Sequence, residues 1–361
     1  MVVAGDHLLI NRYLSREILN PLVTICAVLV IIFAGYSATR FLPDAANGLM
    51  TGKTVSALVF FKVLIALEVL LPVTLFFSVI MVFGRMHADS EIVAMRACGL
   101  GDRTLVGSVL LISSMLALLV AGLSLYARPW AYEKSYWLKA AAEANFDFSR
   151  LRPGRFHEVG GNRYVVFLEA LDDRQAHAEG VFIQQRNEAV RKVTYASEAW
   201  QEIDPVTMEK SIVLLNGYHY EITEKKENTK LLRFVNTRLP LVPKQIDSIG
   251  YRRKAASTES LAASSVAADQ AEFQWRMSTG FSTVLLGLLG IPLGLTAQRQ
   301  GKSAKVFIAV ILFAIYYNLL VVAKTWVEQG VVGSFPGVWW PHVLLAALLV
   351  VLSRRSDAVS R

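Results

Sequence analysis

Six long apolar segments decide what this chain can fold into. They lie at about residues 19–42, 55–83, 104–126, 273–296, 304–327 and 338–352. About 20 apolar residues in a helix cross the hydrocarbon core of a bilayer. In lipid every backbone N–H and C=O must be satisfied within the protein, so each run can span only as a helix. The runs fall three and three on either side of a polar middle third. A 361-residue water-soluble chain rarely carries 54% hydrophobic and 18% charged residues. The first run follows Arg12 and Arg16, as a signal peptide would. It is longer than a signal core and no small-residue cleavage site follows it, so it reads as a retained span.

Charge orients the spans. One set of ends carries Arg12 and Arg16, then Arg85, Arg96 and Arg103, then Arg299, Lys302 and Lys305, then Arg354, Arg355 and Arg361. The opposite short loops carry Lys53 and almost nothing else. The positive-inside rule then predicts cytoplasmic termini and an external middle domain. It also accounts for the net charge of +8 without nucleic acid, since no basic helix with interleaved aromatics is present. Cys26 and Cys98 lie outside the middle domain, so no disulfide framework is expected. The six histidines (His7, His87, His157, His177, His219, His342) show no metal-ligand spacing.

The chain divides into residues 1–130, 131–271 and 272–361. Between 131 and 271 the pattern changes to short runs of Val, Ile, Tyr and Phe, at 163–170, 180–185, 191–200, 211–222 and 231–237. Gly160-Gly161-Asn162 and Asn216-Gly217 read as turns. Strands without intervening helices predict a β-sandwich or an open barrel.

Within the spans, Glu68 is deep enough that it must face protein or water, and Pro72 follows it. Lys62, and Arg40 at the far end of the first span, can snorkel to headgroups; alternatively Arg40 faces a cavity that holds an anion. Arg128-Pro129-Trp130 marks an interfacial exit. Lys324 and Glu328 lie four apart, as an intrahelical ion pair would. Gly287, Gly290 and Gly294 predict close helix packing, and Trp339, Trp340 and His342 mark an interface.

One polar stretch, Gly84-Arg-Met-His-Ala-Asp-Ser-Glu-Ile-Val-Ala-Met-Arg-Ala-Cys-Gly-Leu-Gly101, joins the second and third spans. Asp89 is a candidate N-cap, and Glu91 sits in the first turn, where the helix dipole favours negative charge. Ala94, Met95 and Cys98 complete a face with Glu91, and Gly99 can end the helix. Such a helix is either a handle for something outside the membrane or an ordinary loop. No P-loop, His-Glu-x-x-His, Gly-x-Ser-x-Gly or paired-acid constellation is present. Three classes stay open: a transport permease with an external motor, a permease-like mechanotransmitter that moves no lipid, and an intramembrane enzyme built on Glu68 or Arg128.

Four stretches resemble one family. They are Arg12-Tyr-Leu-Ser-Arg-Glu17, Gly84 to Gly99 in the polar stretch, Gln274-Trp-Arg276 and Arg299-Gln-Gly301. Together, over essentially the whole chain, they look like the permeases of the lipopolysaccharide export ABC transporter, the LptF/LptG family, and the last two are closer to the LptF branch. The resemblance implies an α-helical membrane protein of six transmembrane helices, three plus three, with an inserted periplasmic β-jellyroll. It implies a bacterial inner-membrane location and an LptG-like permease partner on an LptB-like ATPase dimer. That dimer would use ATP and Mg, and this chain would hold no cofactor or metal. Lipopolysaccharide would pass to LptC-like and LptA-like jellyroll proteins. Residues 89–99 match the family's coupling helix, which makes Asp89, Glu91, Ile92, Met95 and Arg96 candidate ATPase contacts, with Glu91 the acidic coupling residue. Arg40, with Tyr36 and Ser37, matches a headgroup-binding position; other members carry a second cation where Ser37 stands. Val165, Phe167, Phe182 and Ile183 are candidate lining residues of the jellyroll interior, although a packed β core would read the same.

Overall fold

A computed structural model describes residues 3–46, 50–144, 151–159, 164–172, 177–186, 190–203, 210–223, 229–240, 251–295, 302–333 and 335–359. Gly160-Gly161-Asn162 and Arg299-Gln-Gly301 lie outside the described residues. The long helices are α1 (Val3–Ala46), α2 (Gly52–Ala88), α4 (Asp102–Gly122), α5 (Arg128–Ala144), α7 (Ala267–Leu295), α8 (Lys302–Glu328) and α9 (Trp340–Val359). Two short ones, α3 (Glu91–Ala97) and α6 (Thr258–Ala263), lie between them. Among the described residues, five stretches are long and apolar enough to cross a membrane: Ile10–Ala46, Gly52–Ala88, Asp102–Ala142, Ala267–Leu295 and Val306–Glu328. In α9 the apolar part, Trp340–Arg354, is shorter.

The chain forms two compact units. The first contains Met1–Gly35, Phe61–Glu133 and Tyr251–Arg361, and the second Tyr36–Phe60 and Lys134–Gly250. The first unit has two apolar cores. One gathers Leu14 and Ile18 of α1, Val79, Phe83 and Met86 of α2, Ile92 of α3 and Val109 of α4. The other joins Phe76 of α2, Trp275 and Leu289 of α7, Leu320 of α8 and Leu345 of α9. Helix α7 lies against α4 at Gly280 and Gly287, and against α2 at Gly290 and Gly294. A Cβ on Gly290 would lie 2.8 Å from Val79 Cβ, and one on Gly294 would lie 2.8 Å from Phe83 Cβ. The close packing read from these glycines is therefore a contact in which only hydrogen fits.

Helix α4 does not stop at the expected exit. It passes through a π-helical turn, Leu123–Ala127, and continues as α5. A π turn disturbs the normal i→i−4 ladder and leaves carbonyls for other donors. Leu125 O accepts a hydrogen bond from Thr258 Oγ1 at 2.7 Å.

In the second unit, six strands form one antiparallel sheet in the order β1-β2-β3-β4-β5-β6: β1 (Phe156–Val159), β2 (Tyr164–Asp172), β3 (His177–Arg186), β4 (Val190–Ile203), β5 (Lys210–Thr223) and β6 (Thr229–Pro240). Five of them lie on the strand-like runs; β1, four residues long, is the one those runs missed. Among the described residues the strands make a meander without crossover, so the jellyroll expectation stands only as an inserted sheet domain. Pairing is interrupted along one row, Glu169, Gly180, Ser197, Asn216 and Val235, while the register on either side is unchanged. Gly180 and Asn216 have positive φ, 61° and 47°. Asn216-Gly217 is thus not a turn between strands but part of a crease within β5. Across it the inward alternation changes phase, from Val181 and Ile183 to Ala178 in β3 and from Gly217 to Leu214 in β5.

Candidate functional site

The polar stretch folds as a helix of its own, shorter than expected. Helix α2 extends to Ala88, which draws Asp89 into its last turn, with Asp89 N–H donating to Arg85 O at 2.9 Å. Ser90, not Asp89, precedes α3, in left-handed conformation (φ 59°) and without a side-chain cap bond. Asp89 is exposed. The C-terminus follows the expectation: Gly99 has φ 83°, and Gly99 N–H and Leu100 N–H donate to Arg96 O and Met95 O, each at 3.0 Å. These are the paired bonds of a Schellman ending.

The face predicted for α3 is corrected. Ile92 is 1% exposed in the core with α1, α2 and α4, and Met95 packs against the same core. They anchor the helix. The open face is Val93, Ala94, Ala97 and Cys98. Arg96 is held by Asp102, Nη2 to Oδ1 at 2.9 Å. Glu91 stays at the rim, where Tyr13 Oη of α1 donates to its Oε2 at 2.9 Å. Four residues along α1, Glu17 pairs with Arg85 at 2.7 Å. The Arg12–Glu17 stretch and the polar loop, far apart in the chain, therefore form one surface.

At the far end of α1, Arg40 and Tyr36 share an exposed face, with the guanidinium 5.8 Å from the ring centroid. Ser37 is 3% exposed and turned inward, so it does not join them. In the sheet, Ile183 is buried with Val166 and Val181. Val165, Phe167 and Phe182 lie on the opposite face, because consecutive strand residues point to opposite sides. There Phe167 and Phe182 belong to a row in register across the sheet, Phe156–Phe167–Phe182–Tyr195–Tyr218–Arg233. Of the four candidates, Ile183 packs in the buried core of the sheet, and Val165, Phe167 and Phe182 share its other face.

A second cluster, where the chain leaves for the sheet domain and returns, was not foreseen as a site. Glu68 of α2 and Glu272 of α7 are buried. Arg128 bridges them, Nε to Glu68 Oε2 at 3.2 Å and Nη2 to Glu272 Oε1 at 3.1 Å. It is therefore a buried crosslink rather than an interfacial marker. Glu68 Oε1 also accepts from Trp275 Nε1 at 3.0 Å and from Ser124 Oγ, in the π turn, at 2.9 Å. Glu272 takes two further cations, Arg276 at 3.3 Å and Lys324 of α8 at 2.5 Å. Lys324 and Glu328 do approach, at 3.8 Å, but the shorter tie leaves the helix. Arg276 is fully buried and donates to Ala256 O at 3.0 Å, Lys254 O at 3.2 Å and Thr258 Oγ1 at 3.1 Å. It clamps the returning segment. This arrangement satisfies charges that are costly to bury alone and ties α2, α4–α5, α7 and α8 together. The signal for it in the sequence is opposite charges near the same end of four spans. Among the described residues no group of three or more His, Cys, Asp or Glu could hold a metal ion.

A multi-pass helical bundle with an inserted antiparallel sheet and a short anchored helix between two spans is the build of a membrane permease. The sequence matches the family described as "Lipopolysaccharide export system permease LptF/LptG" over residues 12–355. It is similar to the lipopolysaccharide export system permease protein LptF of Escherichia coli (strain K12), 25% identical over 357 residues, 96% of this chain and 94% of the relative. The LptF of Shigella flexneri is equally similar. The chain belongs to the LptF/LptG permease family.

Proposed function

We propose that the chain is the LptF-type permease of a lipopolysaccharide exporter, working beside an LptG-like permease and driven by an LptB-like ATPase dimer that uses ATP and Mg. In this reading α3 and both termini are cytoplasmic, and the sheet domain is periplasmic and hands the lipid to LptC-like and LptA-like partners. ATP-driven closure of the motor moves α3; the cavity between the permeases narrows, and the lipid is pushed towards the sheet domain. Arg40 and Tyr36 meet the anionic headgroup.

The observation that carries this reading is the build of α3. Its apolar side is spent on the core through Ile92 and Met95, so force on the helix passes into α1, α2 and α4. Its small open face and the oriented Glu91 carboxylate are left for a partner with a groove and a basic residue. Asp89 and Arg96 flank that contact, while Ile92 and Met95 support it from behind. Glu91→Lys tests it. ATPase association in mild detergent should fall at least tenfold, with the span fold intact by circular dichroism. Normal association and export in that variant would refute the assignment. If association falls while lipopolysaccharide never crosslinks near Arg40 in the wild type, the chain transmits force without moving lipid.

A further inference from the structure

The buried cluster contains two carboxylates, Glu68 and Glu272, and three cations, Arg128, Arg276 and Lys324. Without Lys324 it is balanced, two against two. Glu68 keeps Arg128, and Glu272 keeps both Arg128 and Arg276. Lys324 is thus the surplus cation, and it is the one that α8 contributes. It also has a second acceptor ready, Glu328 one turn further along α8, 3.8 Å away. Breaking a buried ion pair is destabilising because it strands a charge. Moving Lys324 from Glu272 to Glu328 strands none on either side, although it gives up the contact of Lys324 with the Trp275 ring, 5.1 Å from the centroid.

The packing of α8 points the same way. Between α2, α7 and α8 lies a cavity of about 30 Å³, bounded by Glu68, Pro72, Trp275, Phe313 and Tyr317 among others. On its other flank a groove of about 410 Å³ opens towards α9, between Ile311, Ile315, Leu344 and Leu348. The groove is an open surface, so α8 is not packed against α9 along that flank. Among the described residues, the other polar ties of α8 to neighbouring elements are a neutral hydrogen bond deeper in the bundle, between Tyr316 Oη and Ser282 Oγ at 2.8 Å, and a partly exposed pair at its end, Glu328 with Arg253 at 3.7 Å.

We propose that Lys324 is a releasable latch. Helix α8 parts from α7 at its Glu328 end when Lys324 passes from Glu272 to Glu328, and pivots about the Tyr316–Ser282 bond. The quartet Glu68–Arg128–Glu272–Arg276 stays behind and keeps the outgoing and returning segments of the inserted domain fixed. The inference rests on the reading of the chain as a permease that changes shape during transport.

Spin labels at Met277 on α7 and Val322 on α8, both on exposed faces, report the separation by pulsed electron resonance. The measurement uses the full chain with its copurifying subunits in lipid nanodiscs. Lys324→Met should add or enlarge a longer-distance component, and Glu328→Gln should show less of it than Arg253→Gln, which removes the same tie at the end of α8 but leaves the second acceptor in place. Unchanged distances in Lys324→Met, or a long component in Glu328→Gln equal to or larger than in Arg253→Gln, would overturn the latch. So would failure of Lys324→Met to assemble, since the residue would then be an obligatory structural tie. If no ATPase accompanies the chain, the transport reading fails, yet the same distances measured on the chain alone still decide the latch.

Discussion

Four glycines on α7 offer a graded test of how the bundle is packed. Gly280, Gly287, Gly290 and Gly294 lie on one helix, and alanine at each gains the same intrinsic helix preference, about 1 kcal/mol. What differs is the space. At Gly280 a Cβ meets Ala117 O at 3.5 Å and Ala121 Cβ at 3.6 Å, which is ordinary contact. At Gly290 it meets Val79 Cβ and Cγ1 at 2.8 Å and Phe76 O at 3.2 Å. That is about 0.7 Å short of the ~3.5 Å at which carbon–carbon contact becomes favourable. Val79 is β-branched, fully buried and backed by the α1–α4 core, so its Cβ cannot turn aside. The helices must separate, at an overpacking cost of about 1–3 kcal/mol. Gly294→Ala should resemble Gly290→Ala, because it meets a Cβ and two backbone atoms. Gly287→Ala should fall between, because it meets the Ser113 hydroxyl, which can rotate, Leu75 Cδ2 at 3.0 Å, a flexible side-chain end, and Ser113 Cβ at 3.0 Å, fixed but 0.2 Å further off than Val79 Cβ is from Gly290. The assay is thermal unfolding in detergent, followed by intrinsic tryptophan fluorescence. Gly280→Ala should unfold at or above the wild-type temperature, and Gly290→Ala and Gly294→Ala several degrees below Gly280→Ala. Equal midpoints for Gly280→Ala and Gly290→Ala would refute the inferred contact.

Two further outcomes follow from the geometry. Arg40→Glu should cut photocrosslinking of lipopolysaccharide to a probe at Tyr36 several-fold without changing ATPase copurification, because Arg40 lies on an exposed face far along α1 from α3. Thr258→Val removes the donor to Leu125 O and one acceptor of Arg276. Leaving such groups unpaired costs about 1–3 kcal/mol, so amide exchange over 253–258 should quicken roughly tenfold or more, while exchange in β2–β5 should not change.

Much of the architecture was legible because lipid and water impose long-range rules. Apolar runs of bilayer length marked five spans, Gly99 marked the end of α3, and alternation marked five of the six strands. What failed was placement at one-residue precision. Asp89 looked like a cap because nothing in the sequence says that α2 runs on to Ala88. Met95 was put on a face with Glu91, yet it packs beside Ile92 because three neighbouring helices crowd that side. Phe182 and Ile183 were assigned one interior although adjacent strand residues cannot share a face. Glu68 was correctly expected to face protein, but its partners Arg128 and Trp275 lie 60 and 207 residues away. Local patterning does not encode contacts of that range. Similarly, the i,i+4 spacing of Lys324 and Glu328 concealed the closer partner on α7.

The bond between Leu125 and Thr258 joins residues 133 positions apart. Seen from the helices, the inserted sheet is a loop whose ends are already held together by the bundle. Closure entropy grows slowly with loop length, about 0.6 kcal/mol for each doubling. The π turn and the Arg276 clamp therefore make a socket that is nearly indifferent to the size of what it carries. Domains of other lengths and sequences can be exchanged at this point in evolution, or grafted there by design, while the helices that carry them keep the same contacts.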